Sequence, residues 1–174
     1  IPPARISHYS NMEKRYKENM KVEPKTLPNR KNYIIINGDG THTFVFNQYK
    51  TAKTSGKVIH KIENEDLNKL LDKYFKDYNN DKKKKNFLIN VNGSEMSQEN
   101  ITNSQRSISK KLLGKSLSNN LFRHIFLTYF QEQNPSINEK IRIGDLIGQK
   151  YKPNQMEKYI RKSKNKEETK IEEI

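Results

Sequence analysis

The strand signals of this chain are concentrated in one stretch, and helix signals fill most of the chain beyond residue 62. Residues 33–36 are a compact β-branched run, the Asn-Gly-Asp-Gly at 37–40 turns the chain, and residues 43–47 (TFVFN) continue it. After a polar turn, KTAKTSG, residues 57–62 (KVIHKI) give a third strand. The spacing predicts a three-stranded antiparallel meander. A helix is expected directly after it, over 64–78. Asn64 caps it, Glu65 and Asp66 lie in its first turn, and Leu67, Leu70, Leu71, Tyr74, Phe75 and Tyr78 recur at helical spacing.

The remaining elements are set by local punctuation. Residues 2–16 read as a short helix or helical turn after a Pro-Pro start, and 19–31 as a loop. The basic run at 79–86 is an exposed linker, and 87–91 is strand or extended. Ser97 caps a helix that runs to about Leu113 and stops at Gly114, and Ser116 or Ser118 caps the next, through Phe130. Asn134-Pro135 ends that helix, residues 137–147 form another, and Pro153 opens a last one. A small sheet followed by a mainly helical half is an α+β fold by segregation.

Charge narrows the partners. The 174 residues carry a formal net charge of +14, which favours a polyanion, nucleic acid before membrane. Heavy use of Lys, Asn and Ile is also what AT-rich coding produces, so composition supports that partner without proving it. Cysteine is absent, which excludes disulfides and thiolate metal sites, and the four His lack metal-ligand spacing. No apolar run reaches the ~18 residues of a membrane span. An intracellular protein fits these features.

One constellation could carry chemistry. Arg123 and His124 interrupt the apolar run at 121–130, an Ile-Gly-Gln triplet comes next at 147–149, and Tyr159 lies ten residues after Gln149. Transfer of a phosphodiester to a protein needs a nucleophile, fixed cations around a five-coordinate phosphorus, and an acid for the leaving oxygen. Arginine suits the second role because its guanidinium stays charged and forks onto two oxygens. A lysine can serve the third.

In that order the chain resembles the catalytic domain of tyrosine recombinases, the phage-integrase-like DNA strand-transfer enzymes. Their first Arg lies at a helix start, as in Ala4-Arg5-Ile6-Ser7 here. Their catalytic Lys lies in the second turn of a three-stranded sheet, as in Ala52-Lys53-Thr54-Ser55-Gly56-Lys57, where Lys53 fits the register better than Lys50. An amphipathic helix comes next, and then a His-x-x-Arg box, here Asn120-Leu121-Phe122-Arg123. A Leu-Gly-His triplet and the nucleophile close the pattern, here Ile147-Gly148-Gln149 and Tyr159. The resemblance implies that Tyr159 forms a 3′-phosphotyrosyl bond and that Arg5 and Arg123 clamp the non-bridging oxygens. It implies that Lys53 protonates the 5′-oxygen, with Asn120 and Gln149 at the two hydrogen-bonding positions. No metal or other cofactor is implied. The partner is double-stranded DNA, bound by a dimer or tetramer. Lys110, Lys111, Lys115, Lys150 and Lys152 are candidate phosphate contacts.

The catalytic domain is expected over 1–163, lacking its first helices and a DNA-clamping arm, with a charged tail at 164–174 that either docks on a neighbouring protomer or is disordered. The opening PPAR and the phrase FNQYKTAKT look most like recombinases of eukaryotic mobile elements and large DNA viruses. That resemblance implies the nucleus, a viral factory or a virion. Type IB topoisomerases share the chemistry but have a longer architecture.

Asn120 and Gln149 depart from the family, which commonly has His at both positions. An amide can hydrogen-bond a phosphate oxygen but cannot accept the nucleophile's proton. His124 points about 100° away from Arg123 on an ideal helix. The amides therefore leave a second reading open, a non-catalytic DNA-binding protein derived from a recombinase. Tyr129 and Tyr151 are the competing nucleophiles. An RNA-binding fold would need aromatic-rich strand motifs that the chain lacks.

Overall fold

A computed structural model describes residues 3–17 and 22–148 of the chain. The elements, in order, are α1 (Ser7–Ser10), β1 (Met12–Tyr16), β2 (Asn32–Asn37), β3 (Thr41–Phe46), α2 (Ala52–Ser55) and β4 (Val58–Lys61). Four longer helices come after β4: α3 (Glu65–Asp77), α4 (Gln98–Leu113), α5 (Asn119–Glu132) and α6 (Ile137–Leu146). The fold is α+β, a small sheet preceding a helical half.

The sheet has four strands, not three, in the order β1-β2-β3-β4. The expected meander is present as β2, β3 and β4, paired antiparallel. The correction concerns residues 2–16. Only Ser7–Ser10 is helical, and β1 adds to the sheet in parallel with β2, Met12 opposite Asn32 and Tyr16 opposite Ile36. Its alternating burial places Met12 and Lys14 inward. The Lys14 ammonium is covered and donates to both the backbone oxygen and Oδ1 of Asn79, each at 2.6 Å. A charged segment becomes a strand here because a distant asparagine supplies its lysine with acceptors.

Both faces of the sheet are covered. Met12, Ile34, Phe44 and Phe46 pack against Ile62, Leu71, Phe75 and Phe87 on one side. Tyr33, Ile35 and Val45, at the alternate positions, meet Val22 and Leu27 of the β1–β2 connection on the other. Asn68 of α3 locks helix to sheet: its Oδ1 accepts from the His42 backbone N–H and lies 3.0 Å from Nδ1, and its Nδ2 donates to Ile62 O.

The helix boundaries obey the capping chemistry. The side chains of Asn64, Ser97, Ser118 and Ser136 each accept from a backbone N–H two or three residues into the helix they open. Gly114 ends α4 in the left-handed conformation. The apolar stripe of α3 is wider than the face it buries. Leu71 and Phe75 are covered, while Leu70 and Tyr78, expected with them, flank the contact and stay exposed. A second core joins Leu127 of α5 to Ile143 and Ile147 of α6. No described helix is long and apolar enough to cross a membrane.

Candidate active site

Helix α5 gathers the site. Asn119, its first residue, donates to Ala4 O at 3.1 Å, and Arg123, one turn later, donates from Nη1 to Pro3 O at 3.0 Å. These bonds fix two consecutive carbonyls of the N-terminal segment, so Arg5 is delivered beside the same helix. Nη1 of Arg123 also donates to Ile147 O at 3.1 Å, which brings in the end of α6. Arg123 is only 2% exposed. A buried guanidinium held by carbonyls keeps its charge and cannot swing away. Arg5 is half-buried, and its Nε is covered with no hydrogen-bond partner.

Both arginine charges reach His8, a residue that the sequence did not single out. Its ring is 1% exposed, stacked on Tyr49 and edge-on to Phe46. Nδ1 lies 3.1 Å from Arg5 O, and because a carbonyl only accepts, that nitrogen carries the proton. Burial lowers the His8 pKa to about 4. The Arg5 carbonyl opposes the shift, and the charges of Arg123 and Arg5 add to it. Both guanidinium groups therefore act on one neutral imidazole, whose Nε2 is buried and unpartnered. The local signal is weak: a lone His three residues after an Arg has no periodic or motif context.

The end of α6 closes the site. Gly148 is buried with φ +69°, and a Cβ placed there would lie 2.6 Å from His8 Nε2. Thr51 Oγ1 donates to Gly148 O at 3.4 Å, tying the β3–β4 turn to the same point. That turn carries Lys53, exposed on α2 where the sequence suggests only a polar turn. Lys50 is exposed as well. Lys57 is committed elsewhere, donating to the carbonyls of Lys25 and Leu27 at 2.8 Å each.

Two tyrosines near this site are held as neutral phenols, Tyr9 within reach of the Arg123 charge and Tyr49 stacked on His8. Burial pushes Tyr9 up to about 12, against a backbone hydrogen bond from Ala4 and the Arg123 charge. Tyr49 is also raised by burial, and its hydroxyl donates to Gly56 O at 2.6 Å. Neither is set up to ionise. Tyr129 is 63% exposed on α5.

Of the other sequence-derived candidates, Asn120 is exposed three residues before Arg123, and His124 is half-buried. Lys110, Lys111 and Lys115 are exposed at the end of α4 and just beyond, where the first two also complement the helix dipole. Gln149, Lys150, Tyr151, Lys152, Tyr159 and the domain boundary at 163/164 lie outside the described residues. Among the described residues no group of three or more His, Asp or Glu is placed to hold a metal ion.

The structure therefore brings together Arg5, Arg123, the Ile147-Gly148 turn and the Lys53-bearing turn, from four distant parts of the chain. No protein-family model and no curated protein matches the sequence. In fold the chain is similar to the crystal structure of XerA recombinase, with a TM-score of 0.59 at 14% identity over 94% of this chain. It spans 50% of the length of that recombinase chain. The likeness shows the fold, an α+β arrangement similar to part of that chain.

Proposed function

We propose that the chain is the catalytic domain of a tyrosine-type DNA recombinase or integrase, which cuts and rejoins DNA through a 3′-phosphotyrosyl intermediate. The observation that carries this reading is Arg123, buried and fixed by the carbonyls of Pro3 and Ile147, whose charge and that of Arg5 both act on His8, bordered by the turns that lead to Lys53 and Gln149. The Arg123 guanidinium, held in place, and that of Arg5 stabilise the charge that develops on the non-bridging oxygens as phosphorus becomes five-coordinate. Tyr159 supplies the nucleophile and Lys53 the proton for the departing 5′-oxygen. Asn120 and Gln149 hydrogen-bond phosphate oxygens. Lys110, Lys111, Lys115, Lys150 and Lys152 contact the DNA backbone, and the protein acts as a dimer or tetramer on its site, in the nucleus, a viral factory or a virion.

The test uses the full chain and a pool of nicked duplexes randomised in sequence, on which a cleaved end is lost and covalent protein–DNA product accumulates. Wild type should form the adduct. Tyr159→Phe should abolish it while retaining DNA binding, and Arg5→Ala or Arg123→Ala should lower its rate by about 100-fold or more.

A second reading is favoured by the amides at 120 and 149 and by the carbonyls of Pro3 and Ile147 on Arg123: a DNA-binding protein whose arginine now only pins the fold. Under that reading wild type and Tyr159→Phe bind DNA equally and neither forms adduct.

A further inference from the structure

Lys53 rides on a lightly supported element. Helix α2 has four residues, buries no side chain, and its N-cap Thr51 makes no side-chain cap bond. A helix this short gains little from its own hydrogen bonds. Those bonds are local: Ser55 N donates to Thr51 O at 2.9 Å and Gly56 N to Ala52 O at 2.8 Å. The lysine side chain adds about 2 kcal/mol of rotamer entropy of its own. Bringing its ammonium to one oxygen therefore depends on what fixes the turn from outside.

Both flanks of the turn are fixed. Before it, Asn32 takes both backbone groups of Gln48: Oδ1 accepts from Gln48 N at 2.7 Å, and Nδ2 donates to Gln48 O at 3.0 Å. Asn32 Nδ2 also donates to His8 O at 2.9 Å, so one amide joins the end of β3 to α1. After the turn, Lys57 is held by the carbonyls of Lys25 and Leu27. Tyr49 spans what lies between. Its ring stacks on His8 with centroids 5.7 Å apart and planes at 24°, and a ring carbon faces Gly148. Its hydroxyl reaches seven residues ahead and donates to Gly56 O at 2.6 Å. One side chain thus links the imidazole on which both arginine charges act to the far end of the helix that carries Lys53.

We propose that Tyr49 is the positioning residue for Lys53: seated on His8, it holds the 49–56 turn closed and so sets where the lysine stands relative to the arginines. The proposal rests on the recombinase reading above and on the role of Lys53 within it. Tyr49 itself forms and breaks no covalent bond in the reaction. It removes conformational freedom from the turn before the lysine is called on, which lowers the entropy cost of its approach. A tyrosine that only stabilises the fold would use the same hydrogen bond. Tyr49→Phe separates the two roles, because it keeps the ring on His8 and loses only the hydroxyl.

The measurement is single-turnover adduct formation by the full chain on a duplex recovered as adduct from the nicked pool. That duplex is made with oxygen or with sulfur at the bridging 5′ position. With oxygen, Lys53→Ala should be about 100-fold slower or more. Tyr49→Phe should be about tenfold slower, and the double variant no slower than Lys53→Ala alone. Sulfur departs as a thiolate, of pKa about 8.5, and needs no proton, so each variant should come within about twofold of wild type. A Tyr49→Phe loss that persists in the Lys53→Ala background or with sulfur, or no loss with oxygen from either single variant, overturns the proposal and leaves the recombinase reading standing. No adduct recovered from the pool overturns both. Amide hydrogen exchange tests the brace without DNA. In Tyr49→Phe the Ser55 and Gly56 N–H groups should exchange about tenfold faster than in wild type, while those of β3 stay unchanged. Equal exchange in the two proteins at Ser55 and Gly56 refutes the brace.

Discussion

Gly148 and Gly114 form a matched pair that isolates the packing around His8. Both hold φ at +69°, but a Cβ at Gly114 would meet nothing within 4 Å, whereas one at Gly148 would meet His8 Nε2 at 2.6 Å and Cε1 at 3.0 Å. Tyr49 Cδ2 stands at 3.3 Å behind them. Alanine at either site pays the left-handed penalty of about 1 kcal/mol. Only at 148 must a neighbour also move, and His8 has little room, with Nδ1 on Arg5 O and its ring against Phe46 and Tyr49. Overpacking of this kind costs about 1–3 kcal/mol more. Urea unfolding monitored by far-UV circular dichroism should therefore show Gly148→Ala less stable than Gly114→Ala by about 2 kcal/mol, with equal m-values. Equal losses, within about 0.5 kcal/mol, would refute the claim that Gly148 seats tightly on His8.

Three further outcomes test the framework. The folded-state pKa of His8 lies below its unfolded value of 6.5, at about 4, so its contribution is complete above pH 6.5 and is lost as pH falls toward 4. Wild type should lose roughly 3 kcal/mol more than His8→Phe between pH 7 and pH 4 in urea titrations, and parallel losses would contradict the burial of a neutral ring. Lys14→Met retains the apolar stem but leaves Asn79 O and Oδ1 without their donor, and should cost about 1–3 kcal/mol; a neutral result would show that β1 does not depend on that contact. Asn68→Ala removes the acceptor shared by the His42 backbone and ring and should cost about 2 kcal/mol, read as a lowered midpoint; an unchanged midpoint would remove the proposed lock between α3 and the sheet.

The elements legible in the sequence are those whose signals are local. Asn64, Ser97 and Ser118 mark helix starts because a side-chain oxygen two or three residues ahead of an unpaired N–H acts within a single turn. The β2–β3 hairpin is announced by its own turn, and α3 by the spacing of Leu67, Leu71, Tyr74 and Phe75. β1 is different. MEKRY carries charges at three of its five positions, and its pairing with β2 and the burial of Lys14 depend on residues far along the chain. The site divides in the same way. Arg5, Lys53 and Arg123 could be named because their order in the chain resembles a family pattern. His8 could not, since its meaning comes from Arg123, Tyr49 and Gly148 converging on it. The position of Asn119 as the link to Ala4 is also a tertiary fact that the neighbouring Asn120 obscures in sequence.

The central claim is that Arg5 and Arg123 serve one anion beside His8. Crystals of the full chain soaked in tungstate, a heavy-atom mimic of phosphate, test it most directly through anomalous scattering. The account predicts one strong peak with oxygens about 2.8 Å from a nitrogen of each guanidinium group, near the Gly148 turn. Tungstate found only among exposed lysines, with neither arginine in contact, would contradict it.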